Sequence, residues 1–177
     1  MSVNDDLPWI APTLSLIRDA DKRGVPVIGH CLGGQLMSKA FGGAITKNPV
    51  KEIGWGEVAC VGAVAAEWLG DGVENTAASS AKFEVFHWHG ETFSLPPQAT
   101  RILQSAYCEN QAFVRGPHLG MQCHVEMTES MIRLWGKHWA DEGVAASASV
   151  QTLEQMTTAL DVRIERMRQV ADRLYSR

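Results

Sequence analysis

From Pro8 to about Arg23 the positions Trp9, Ile10, Thr13, Leu14, Ile17 and Ala20 recur at three- and four-residue steps, which predicts an amphipathic helix ended by Gly24. The next apolar run, Val25-Pro-Val-Ile-Gly-His30, is short enough for a strand, and Cys31-Leu-Gly-Gly-Gln35 opens a second helix through Phe41. Apolar on both faces, strand 25–30 reads as central and parallel, and the expected architecture is α/β. Strands and turns follow from Ala44 to Gln122, among them Gly56–Val61, Phe83–Trp88, Thr100–Ala106, Gln111–Arg115 and Leu119–His124, punctuated by Leu95-Pro-Pro and Gly116-Pro117. Thr128 can cap a helix that uses Met131, Leu134, Trp135 and Trp139. A last helix lines up Leu153, Met156, Leu160, Ile164, Met167, Val170 and Leu174, a stripe suited to core packing or a dimer contact.

At 177 residues, with no internal repeat, the chain reads as one domain over 1–177, with 128–177 a carboxy-terminal helical extension. A chain this long buries roughly 70% of its unfolded surface and needs no disulfide or metal to build a core. The cysteines at 31, 60, 108 and 123 form no C-x-x-C pair, and the reading is a reduced, cytoplasmic protein. No stretch is apolar enough to span a membrane or resemble a signal peptide, so neither membrane nor secretion is expected. A formal net charge of −4 without a basic stripe argues against nucleic acid.

Cys31 stands where a strand runs straight into a helix, flanked by Gly29 and Gly33, as at a nucleophile elbow. The helix N-terminus favours the reactive thiolate there. A base and its orienter are available in Gln122-Cys-His-Val-Glu126: on an extended segment His124 and Glu126 share a face, with Cys123 and Val125 opposite. His-x-Glu alone is weak, and a surface pair is the blander reading. Its place at the end of an apolar strand, far from Cys31 in sequence, suits a triad assembled in space.

The ordered motifs Gly29-His-Cys-Leu-Gly-Gly-Gln35, His89-Gly-Glu91 and Gln122-Cys-His-Val-Glu126 resemble a class I glutamine amidotransferase domain. Glu52-Ile-Gly-Trp-Gly-Glu57 points to the GMP-synthase-like branch. The resemblance implies a flavodoxin-like, mostly parallel central sheet between helices, with Cys31 at the carboxyl end of a central strand. It makes Cys31 the nucleophile that becomes a γ-glutamyl thioester, His124 the proton shuttle, Glu126 its support and the Leu32 backbone N–H an oxyanion donor. Gln35, Trp88, His89 and Gly90 match substrate-holding positions. No cofactor and no metal are implied. Ammonia would pass to a synthetase partner on another chain. Gly34 and Val125 depart from residues common in the family, histidine and proline. Members also carry two strands and a helix ahead of Pro8–Arg23, with a Gly-Gly-Pro turn holding a second oxyanion donor. The expectation is therefore a domain shortened by about 45 residues at its amino end, slowed by ~10²–10³ for the lost donor.

Other readings stay beside this one. The same triad could cleave γ-glutamyl peptides or conjugates, or the domain could be a catalytically impaired partner module. His87-x-His89 with Cys123 or His124 could ligate zinc, although spacing this sparse arises by accident. Cys60, Cys108 and Cys123 read as core cysteines. A homo-oligomer is left open.

Overall fold

Residues 1–69, 81–141 and 145–176 are described by the computed structural model. Along them run α1 (Ile10–Lys22), β1 (Ile28–His30), α2 (Leu32–Ala40), β2 (Ile45–Cys60), α3 (Gly62–Leu69), β3 (Lys82–Phe93), β4 (Thr100–Ser105), β5 (Ala112–Arg115), β6 (His118–Met121), α4 (Glu129–Asp141), α5 (Leu153–Thr157) and α6 (Leu160–Tyr175). α1 follows its apolar period, burying Ile10 and Ile17, and stops where Gly24 takes a φ of 65°. Thr128 does cap α4, its hydroxyl accepting from the Met131 N–H at 3.3 Å. The predicted last helix is two. A capping box between Thr152 and Gln155 starts α5, and Ala159, left-handed at φ 50°, separates it from α6.

The sheet is not mostly parallel. Its order is β1-β6-β5-β4-β2-β3, and only β1 and β6 pair in parallel, with β6–β5, β5–β4, β4–β2 and β2–β3 all antiparallel. A parallel pair needs a crossover of a dozen residues or more, whereas β5 and β6 are joined by Gly116-Pro117 alone. The reading of strand 25–30 as central is corrected too. β1 pairs with β6 only and ends the strand order, so Val25 and Ile28 remain 46% and 42% exposed. Its pairing with β6 is parallel, as expected for this strand, and the unpaired apolar side is the edge expected where a domain of this family is shortened at its amino end. α3, rich in alanine, is a helix where strands and turns were expected.

Alternation along β5 separates two cores. Phe113 packs with Ile17, Leu36, Met37 and Phe93 beneath α1 and α2, while Ala112 and Val114 belong to the larger core on the opposite face, with α3 to α6. The α6 stripe, Leu160, Ile164, Met167, Val170 and Leu174, is buried in that larger core and not left for a partner. Beyond β6 the chain crosses to β3: His124 and Phe86 exchange backbone hydrogen bonds of 2.8 and 3.1 Å. This bridge brings the end of β1, the head of α2 and the middle of β3 to one place. Among the described residues no helix is long and apolar enough to cross a membrane.

Candidate active site

The turn from β1 into α2 is as tight as its sequence requires. A Cβ on Gly29 would lie 2.5 Å from the carbonyl carbon of Gly33, and one on Gly34 would lie 2.3 Å from the Met121 oxygen. α2 therefore packs backbone to backbone on β6, which explains why glycine stands at 34. The turn forces Cys31 to φ 49°, ψ −107°, a conformation that costs a non-glycine residue on the order of 1–3 kcal/mol and is retained where the surroundings demand it. Cys31 thus caps α2 with its thiol half-buried, beside first-turn N–H groups that have no intrahelical acceptor. The sulfur donates to the Trp88 carbonyl at 3.6 Å and accepts from Gln122 Nε2 at 3.7 Å, and Gln35 Nε2 in turn donates to Gln122 Oε1 at 3.1 Å.

His124 and Glu126 lie on one face of their segment, as their spacing predicts, with His124 Nδ1 2.6 Å from Glu126 Oε1 and Cys123 and Val125 buried opposite. Burial alone would depress the imidazole. Hydrogen bonding with Cys31 and Glu126, together with their charge, outweighs it and raises the His124 pKa to about 9. Burial pushes Glu126 up, yet His124 and the nearby His30 bring its carboxyl below the usual range. Nε2 of His124 is buried and makes no aligned hydrogen bond among the described residues, so it is open to exchange a proton with the thiol or a substrate.

A cavity of about 1060 Å³ opens over this point, and Cys31, Leu32, Gln35, Trp88, His89 and Gly90 all line it. The His89 ring is turned away from it. Its Nδ1 meets the Glu91 carbonyl at 3.0 Å and its Nε2 the Glu52 carboxylate at 3.1 Å, so only its backbone is open to a ligand. Trp135, on α4, packs against the larger core and also walls the cavity, its ring 5.5 Å from Trp88 and 5.6 Å from His124. An aromatic on the inner face of α4 carries no sequence signal that separates wall from core.

The zinc grouping is not formed. Among the described residues, the histidine, cysteine and carboxylate atoms that cluster within 4.8 Å are those of Glu52, His89 and Cys108, without His87, Cys123 or His124. Their chemistry does not favour a cation. Glu52 already accepts from Ser105 at 2.8 Å and Gln111 at 2.7 Å as well as meeting His89, a buried carboxylate satisfied on both oxygens. This set anchors β3 below the Trp88–Gly90 stretch.

A strained cysteine between strand and helix, a histidine held by a carboxylate, and a cavity over both are the parts of a cysteine acyl-transfer site. The comparisons agree in family. The profile of the glutamine amidotransferase class-I family matches residues 4–135, and this chain belongs to that family, related to its GMP-synthase-like branch. It is 44% identical to the crystal structure of a glutamine amido transferase from Methylobacillus flagellatus, with a TM-score of 0.90 over 99% of this chain and 71% of that one. A Thermotoga maritima glutamine amidotransferase is 28% identical, with a TM-score of 0.77 over 98% of this chain and 74% of that one. The glutamine amidotransferase-like protein YfeJ of Salmonella typhimurium is 36% identical over 58% of this chain, and the GMP synthase of Aeromonas salmonicida 30% over 84%. The chain spans 41% of the first and 28% of the second.

Proposed function

We propose that this chain hydrolyses the side-chain amide of glutamine through a thioester on Cys31, releasing ammonia. One observation carries the reading: Cys31, the Leu32 backbone, Gln35 and Trp88–Gly90 share one cavity wall, with the His124–Glu126 pair behind the sulfur. The Cys31 thiolate adds to the amide carbon while the Leu32 N–H donates to the developing oxyanion. Protonated His124 gives its proton to the departing nitrogen, ammonia leaves, and the acyl group stays on sulfur. His124 then takes a proton from water, the hydroxide attacks the thioester, and glutamate departs as the thiol is restored. Glu126 holds the imidazole in the tautomer with Nδ1–H toward itself.

The ammonia acceptor in this reading lies on another chain, and residues 128–177 extend the same domain by packing against its sheet. Unpaired thiols at 31, 60, 108 and 123 fit a reducing, cytoplasmic setting. Trp88, Leu134 and Trp135 line the cavity with apolar surface, which suits γ-glutamyl conjugates with apolar leaving groups as the second reading. A diazo-ketone glutamine analogue, followed by mass spectrometry of the intact chain, is expected to add one label that the Cys31→Ala variant does not take. No label on Cys31 overturns the proposal. Faster cleavage of a γ-glutamyl anilide than of glutamine favours the second reading.

A further inference from the structure

Glu126 has two histidine neighbours. Its Oε1 meets His124; its Oε2 accepts the Val125 N–H at 3.0 Å and lies 3.2 Å from Nδ1 of His30. His30 ends β1 immediately before Cys31, so one strand end supplies both the nucleophile and a second contact to the carboxylate. On the far side of the ring, Nε2 of His30 is 2.6 Å from the hydroxyl of Tyr175, near the end of α6, with the rings edge to face at 5.9 Å. Neither His30 nor Tyr175 lines the cavity.

We infer that His30 and Tyr175 are positioning residues, Tyr175 holding His30 in the tautomer whose Nδ1–H faces Glu126 so that the carboxylate keeps its other oxygen on His124. The inference rests on the proposed triad. Nδ1 makes no aligned hydrogen bond among the described residues, and its 3.2 Å approach to Oε2 suits an N–H better than a lone pair. Tyrosine can donate to Nε2, and the carboxylate accepts only from an N–H, which must then be on Nδ1. In the other neutral tautomer two lone pairs would face each other 3.2 Å apart, and that repulsion would push Oε2 against its bond from the Val125 N–H and loosen Oε1 on His124. The groups facing His30 are Glu126, His124 and Cys123 from the segment after β6 and Tyr175 from α6. Among them Tyr175 reaches Nε2. Through this contact the carboxy-terminal helix is coupled to the reacting sulfur without touching substrate.

The inference has a pH signature that a structural role lacks. In Tyr175→Phe, neutral His30 can take the wrong tautomer, but protonated His30 carries a proton on Nδ1 regardless. The variant should therefore lose on the order of 10- to 100-fold in kcat for glutamine at pH 8 and approach wild type as the pH falls through the His30 titration, with KM little changed. His30→Asn places an amide N–H2 near the position of Nδ1. It should recover activity relative to His30→Ala and should not respond to Tyr175→Phe. Nitrogen-15 NMR of the histidine rings reads the tautomer without any turnover. Wild type is expected to show a protonated Nδ1 and an unprotonated Nε2 on His30, and Tyr175→Phe a ring protonated mainly on Nε2 at pH 8. A wild-type His30 protonated on Nε2 overturns the inference, as does an equal kcat loss at every pH. Failure of Cys31 to take the diazo-ketone label would instead overturn the proposed function, while the NMR result still decides the tautomer.

Discussion

The chemistry at Cys31 is set by charge and by one backbone angle. His124 is held up to about 9 against the penalty of burial because Cys31 and Glu126 favour its charged form. Glu126→Gln removes the charge and keeps the shape. The His124 titration, followed by NMR, should then move well below 9, and kcat for glutamine should fall by up to about 10⁴-fold, the order seen when a triad carboxylate becomes an amide. An unmoved titration would show that Glu126 does not govern the imidazole. Cys31, His124 and Glu126 were legible as residues because a cysteine between a strand run and a helix run, and a histidine two positions from a glutamate, are local patterns. His30, Tyr175 and Trp135 were not. A contact between residues 145 positions apart leaves no trace in either one's neighbourhood.

Between elements, α2 meets β6 backbone to backbone. Gly34 lets the helix backbone touch Met121, and Gly29 admits the first turn of α2. Gly34→Ala must push α2 away from β6, because the obstruction is backbone and cannot rotate aside. It should cost about 1–3 kcal/mol in urea unfolding and slow labelling of Cys31, whose turn rides on the same helix. A variant with unchanged stability and labelling would show that the helix has room. Helices α1, α2 and α4 follow from period and caps. The parallel sheet did not, because strand direction depends on which strands become neighbours. The two-residue Gly116-Pro117 connection already requires β5 and β6 to be antiparallel.

For the whole molecule, two histidines pull stability in opposite directions with pH. His87 is fully buried beside Gly56, neither ring nitrogen has a well-aligned partner among the described residues, and desolvation lowers its pKa to about 4. A histidine depressed on folding contributes stability that is present above its unfolded value near 6.5 and lost as pH falls toward 4, here about 3 kcal/mol. His124 is raised instead, so its contribution is present below 6.5 and lost as pH rises toward 9. Unfolding free energy should therefore peak near pH 6.5. His87→Leu should reduce the acid-side slope between 6.5 and 4, leaving the share of His30, whose pKa burial also lowers, and should leave the alkaline side unchanged. Chemical denaturation at pH 4.5, 6.5 and 8.5 checks both, and an acid slope that survives undiminished in His87→Leu assigns it to other groups.

By itself the sequence determined the helices with strong apolar period, the elbow cysteine, the histidine–glutamate pair and, through three ordered motifs, the family. These depend on residues close in the chain, where spacing translates directly into a shared face or a tight turn. Only the tertiary structure decided the strand order and direction, the closing bridge between His124 and Phe86, and the route from Tyr175 through His30 to Glu126. Each of these joins residues far apart in the chain. Such neighbours are chosen by how two cores pack on opposite faces of one sheet, and no local pattern records that choice.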